Sequence, residues 1–89
     1  MEDKIIIKQI NGQEIEYDIL FSFIAENDNK KYIAYTNYEK DENHDLICYS
    51  ALYENNMIHE IKNNEAVDII NNMLKTINTG AKIRYKINE

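Results

Sequence analysis

The side chains of this chain that are best able to do chemistry gather in one acidic connector, Glu39-Lys40-Asp41-Glu42-Asn43-His44-Asp45. Within it, Asp41-x-Asn43-x-Asp45 has the spacing of the first half of a calcium loop, in which alternate oxygen side chains converge on a hard cation. A complete loop also needs glycine at its sixth position and a bidentate glutamate at its twelfth. Those positions are Leu46 and Leu52, so the EF-hand reading fails. Asp41, Glu42 and Asp45 are left as weak candidates for a divalent ion, set against a solvated loop whose charge blocks aggregation. His44, Cys48 and His59 offer nitrogen and sulfur to zinc or copper, but their spacing matches no structural zinc pattern. In an alternating strand Cys48 shares a face with Leu46, Ser50 and Leu52, which reads as core. As a nucleophile it would need one of only two histidines as its base, and neither has a motif context.

Paired carboxylates such as Glu14 and Glu16 lie two apart on one strand face, side by side in water. General acid–base work needs carboxylates whose environments split their pKa values. Gly12 and Gly80 are the only glycines, too few for a phosphate-cradling loop. No enzyme, metal or cofactor is therefore expected. Among seven tyrosines, Tyr35, Tyr49 and Tyr53 fall on neighbouring strands and are the candidate interaction surface for a sugar, base or peptide. The competing account is that tyrosine favours half-buried strand positions.

The elements that must position these residues follow from periodicity. Lys4 to Ile10 is β-branched and reads as a strand. Asn11-Gly12 then predicts a type I′ hairpin turn. Next, Ile15, Tyr17, Ile19, Phe21 and Phe23 alternate with polar residues, and Leu20 and Ile24 break the polar face, which predicts a bulge near Leu20-Phe21. Strands 32–38, 46–53 and 57–61 follow, with Asn55-Asn56 as a further tight turn. From Glu65 the period changes: Val67, Ile70, Met73, Leu74 and Ile77 form one helical stripe. Asn63 or Asn64 caps its start and Gly80 suits a left-handed stop. Ala81 to Glu89 alternates once more and fits a sixth strand, an intermolecular strand or a frayed end.

The fold expected is thus α+β: a five-stranded antiparallel meander with a C-terminal helix, 64–78, packed on one face. Residues 1–78 form the domain, and 79–89 are a basic tail or an extra strand. On this reading a chain ended after Asn78 still folds.

Early Asn11-Gly12, the acidic strand Glu14-Ile15-Glu16-Tyr17-Asp18-Ile19-Leu20, Phe23, the Lys31-Tyr32-Ile33-Ala34-Tyr35 strand, the acidic connector and the helix from Glu65 together resemble the YrzB-like bacterial family, domain-of-unknown-function family 1292. The resemblance covers about residues 5–77. It implies the fold and carries no activity or catalytic residue. The connector is less uniformly acidic here than the family pattern, and tyrosine replaces many aliphatic strand residues.

Charge and composition narrow the partners. The net charge is −6, whereas a phosphate backbone calls for clustered Lys and Arg, so nucleic acid is not expected. Residues 1–78 carry 7 basic and 15 acidic side chains, a net −8, while residues 79–89 carry 3 and 1, a net +2. The tail can answer the acidic body in the same chain or in a second copy. No apolar run approaches a membrane span. Met-Glu-Asp-Lys does not open a secretory signal, and a lone cysteine suits the reducing cytoplasm. The expectation is a small cytoplasmic protein-interaction or regulatory module, non-catalytic. It would meet an unknown protein partner, or a second copy through a sheet edge or the tail. The alternative is a small-ligand or divalent-metal-binding protein.

Overall fold

The β-branched start of the chain and the alternating segment after it pair as an antiparallel hairpin of β1 (Lys4–Lys8) and β2 (Glu14–Ile24), with Ile5 opposite Tyr17 and Ile7 opposite Ile15. The computed structural model describes residues 3–88, so what was expected of Met1, Glu2 and Glu89 lies outside the described residues. The connecting loop corrects the expected two-residue turn. Only Gly12, at φ +86°, is left-handed; its N–H donates to the Gln9 carbonyl (2.9 Å), and the Gln9 N–H donates to the Gln13 carbonyl (2.7 Å). This is a three-residue loop with glycine at the left-handed position, and the Asn11 side chain accepts from the Gln13 N–H instead of its backbone turning left-handed. The true type I′ pair is Asn55-Asn56, at φ +55° and +62°.

The remaining strands are β3 (Lys31–Thr36), β4 (Leu46–Glu54) and β5 (Met57–His59), giving the antiparallel order β1-β2-β3-β4-β5. The helix α1 spans Asn64–Asn78, and the chain ends in β6 (Tyr85–Ile87), which pairs in parallel with Leu46–Cys48 of β4. On that side of β4, β5 takes 52–54 and β6 takes 46–48. Residues 79–88 are therefore joined to the sheet in the same chain. Tyr85 and Ile87 pack against the cluster beneath the helix, contacts that a chain ended after Asn78 would lack.

The bulge falls where the sequence placed it, between Ile19 and Phe21, and it divides β2 between two faces. Before it, Ile15, Tyr17 and Ile19 face one way; after it, Phe21 and Phe23 face the other, opposite Ala34 and Tyr32. The five apolar residues thus do not share a face as their spacing implied. An extra residue in an alternating strand inverts everything beyond it. One face carries α1 over Ala25, Tyr32 and Cys48; the other, on the inside of the curled sheet, gathers Ile5, Tyr17, Ile33, Tyr35 and Ala51.

Helix α1 buries Ala66, Ile70 and Leu74. Val67 and Ile77 of the expected stripe are exposed, and Met73 is half-buried. The small Ala66 lets the first turn approach the sheet closely, which rotates the contact line onto the i, i+4, i+8 row. Among the described residues, no helix is long and apolar enough to cross a membrane.

Candidate functional site

The acidic connector is organised by Asp41 as a turn. Its Oδ1 accepts the N–H groups of Asn43 and Asp45, both at 2.9 Å, and its own N–H donates to the Asp45 carbonyl at 2.8 Å. Its Oδ2 lies 3.9 Å from Lys86 Nζ, so the basic tail meets the acidic body within the chain. His44 sits in this turn at φ +66°. Where β3 leaves β4, the buried Thr36 hydroxyl donates to the Ile47 carbonyl (2.7 Å) and accepts from the Tyr38 N–H (3.0 Å). Glu42 is exposed and Asp45 half-buried. Among the described residues, no group of three or more His, Cys, Asp or Glu side chains is placed to hold a metal ion.

Cys48 is fully buried under α1, and burial pushes its thiol up to about 11. A buried thiol held in its protonated form is a poor nucleophile.

The tyrosines divide between core and rim. Tyr17, which the sequence reading did not single out, stands edge-on to Tyr35 (5.2 Å between ring centres) and to Tyr49 (5.8 Å), while Tyr35 and Tyr49 stack at 5.5 Å. Such ring pairs add about 0.5–1.5 kcal/mol each beyond their buried area. Tyr35 is buried, and that burial, with Tyr17 and Tyr49 beside it, pushes its hydroxyl up to about 12. It is a packing centre of the inner face. Tyr53 lies at the rim, where Lys31 Nζ sits 5.7 Å from its ring centre.

Two asparagines latch distant segments together, and of their bonds only the helix cap was legible in the sequence. Asn63 caps α1, accepting from the N–H groups of Glu65 (3.0 Å) and Ala66 (3.3 Å). Its amide also donates to Asn27 (2.8 Å) and Asp28 (2.9 Å), tying the helix start to the β2–β3 turn. The Tyr32 hydroxyl donates to the same Asp28 carboxylate, and this bond first, then those of Asn63 and the Lys30 N–H, holds that carboxyl below its ordinary range. At the other end, the Asn78 amide donates to the Tyr85 carbonyl and accepts from the Tyr85 N–H, both at 2.8 Å. It stands in for a neighbouring strand. Asparagine in a polar, Asn-rich chain gives no signal of such a role; only the long-range partner does.

The remaining feature is an opening in the sheet. β1 and β5 face each other across a cleft of about 550 Å³, lined by β1 on one side and by Tyr53, Met57 and Ile58 on the other. Ile6 and Met57 are 62% and 61% exposed there. The register shows which backbone groups lack a strand partner among the described residues. The Ile19 N–H donates to Asp3 and the Gln9 N–H to Gln13, so the pairs at 3, 5, 7 and 9 are hydrogen-bonded to β2. Antiparallel ladders alternate, and the N–H and C=O groups of Lys4, Ile6 and Lys8 therefore point off the edge. On β5, Glu54 and Met57 flank the two-residue turn and form its bonded pair, which turns the Ile58 backbone toward the cleft. Outside this edge, Lys4 bridges Asp18 (2.8 Å) and Glu16 (3.4 Å), which raises its pKa and lowers that of Asp18.

The fold and this edge define a small α+β protein whose curled sheet stops short of closure. No protein-family model, no curated protein and no solved structure matches the chain.

Proposed function

We propose that this chain is a non-catalytic cytoplasmic module that binds a protein partner through the open edge of its sheet. The observation that carries the proposal is the β1–β5 cleft, where unpaired strand backbone and the exposed Ile6 and Met57 meet in one place. Unpaired edges of this kind are templates for an added strand, in which backbone bonds give affinity and side-chain pockets give selectivity. The non-catalytic part is supported by placement: Cys48 is sealed in the core, and the acidic connector is occupied with its own turn. The single cysteine, held as a buried thiol, suits a reducing compartment. Membership of the YrzB-like family belongs to the same proposal and rests on the strand-and-turn pattern of residues 5–77.

The test is site-specific photo-crosslinking in cells, with the reactive residue at position 6, at position 57 and, as a control, at the exposed helix position 67. Adducts of defined mass from 6 and 57 and none from 67 are expected. Adducts from 67 alone, or from no position, refute the edge as the docking surface.

A second reading, small-ligand binding, has one observation in its favour. A groove of about 710 Å³ between the end of α1 and β6 has Leu74, Tyr85 and Ile87 in its lining with Lys75, Arg84 and Lys86 beside them. This is an anion-compatible setting in an acidic protein. A melting temperature unmoved by millimolar phosphate and citrate removes this reading, because a ligand of the native state must raise it.

A further inference from the structure

We infer that the strand accepted by β1 is a segment of another protein bearing an acidic residue followed by three apolar residues, running antiparallel. The inference rests on the edge-docking reading and names its partner class. It follows from what the edge presents to each side. Ile5 and Ile7 face the inner cluster with Tyr53 and Ile58, whereas Lys4, Ile6 and Lys8 face outward and are exposed. A strand laid along β1 puts alternate side chains on each of these surfaces. Those opposite Ile5 and Ile7 enter the cleft and must be apolar to extend the inner cluster. The one opposite Ile6 lies beside an exposed isoleucine and is apolar as well.

The charged positions decide the flank. Lys4 is already held between Asp18 and Glu16 on the β2 side. Lys8, across from Glu14 in the register, has no carboxylate within ion-pair distance among the described residues. The selecting charge is therefore at Lys8, and its cross-strand neighbour on an incoming strand is acidic. In an antiparallel strand that residue precedes the apolar three, and antiparallel pairing is the more stable per residue. The β1 sequence itself, Lys-Ile-Ile-Ile-Lys, has the same apolar centre with the opposite flank. Two copies paired antiparallel about Ile6 would set Lys4 against Lys8 twice. Lysines on an edge strand are a known guard against self-pairing, and here the same guard sets the preference for an acidic guest.

The experiment titrates the isotope-labelled protein at low salt with two capped peptides, Ser-Glu-Val-Ile-Val-Thr-Ser and its twin carrying Lys in place of Glu. The Glu peptide is expected to bind and to slow exchange of the Ile6 and Lys8 amides, while the Ile5 and Ile7 amides are protected throughout. The twin is expected to bind about fivefold more weakly, as a cross-strand charge pair changes sign. Ile6→Pro removes an N–H that points off the edge and leaves the β2 ladder whole, as edge prolines do; it is expected to abolish binding. Ile6→Glu, which sets a like charge beside the guest's acid, serves if the proline variant does not fold. Equal binding of the two peptides overturns the acidic partner and leaves edge docking standing. Binding undiminished by both variants places the peptide elsewhere and overturns both. No binding of either peptide overturns the partner class, and the crosslinks at positions 6 and 57 then decide edge docking separately.

Discussion

Replacing Asn78 by alanine isolates the latch between the helix and the last strand. The side chain makes two bonds of 2.8 Å to the Tyr85 backbone, at a half-buried position. A net contribution of about 0.5–1.5 kcal/mol per bond gives about 1–3 kcal/mol for the pair. Two further effects bound the figure. If β6 stays in place, the Tyr85 N–H and C=O lose their partners in a half-buried setting, which raises the cost. If β6 leaves, the cost is capped at the free energy that held it, since nothing beyond its docking is lost. Helix propensity works the other way by a few tenths of a kcal/mol, because alanine is the better helix former. The expected loss is about 2 kcal/mol, or roughly 10 °C in melting temperature for a domain of this size. Urea denaturation gives the total. Hydrogen exchange gives the location: the Leu46 N–H, which donates to the Arg84 carbonyl, and the Asn88 N–H, which donates to Cys48, should exchange faster. A loss below about 0.5 kcal/mol with the Leu46 amide still protected refutes the latch, since that is the lower limit for even one such bond.

Three further outcomes are expected. A chain ended after Gly80 loses at least as much stability as Asn78→Ala, and its Cys48 reacts faster with a thiol reagent because Tyr85 and Ile87 no longer cover that cluster; an unchanged melting temperature and labelling rate make the tail an appendage. Asn63→Ala removes the helix cap and costs about 1–2 kcal/mol, read as a lower urea midpoint at constant slope, while a midpoint unchanged within error shows that water replaces the cap. Tyr35 titrates about two pH units higher folded than unfolded, so its stabilisation is complete below pH 10 and is lost as pH rises towards 12. At about 1.4 kcal/mol per pH unit the loss is about 2–3 kcal/mol. Tyr35→Phe should flatten the fall in stability between pH 10 and 12, and an unaltered alkaline limb means that other groups cause it.

Local pattern and tertiary placement contributed differently to what can be said of this protein. The helix bounds 64–78, the Asn63 cap, the left-handed Gly80 and the bulge after Ile19 were all legible, because each depends on neighbours within a few residues. Where a local rule met two outcomes, spacing could not choose. Asn11-Gly12 suits both a two-residue and a three-residue loop, and the register of Ile5 on Tyr17 selected the longer one. Val67 and Ile77 fit a helical stripe as well as Ala66 does, and the approach to Tyr32 and Cys48 selected the row through Ala66.

The sequence by itself determined the α+β class and the order of strands and helix. These follow from backbone preference and side-chain period, which act locally. Only the tertiary structure decided that β6 runs parallel beside Leu46–Cys48, that Tyr35 is a core ring while Tyr53 stays at the rim, and that β1 and β5 meet across an open cleft. Each of these depends on curvature and long-range pairing. A strand's own sequence carries its alternation, but how far the sheet curls, and which edge is left without a neighbour, is set by all the strands together.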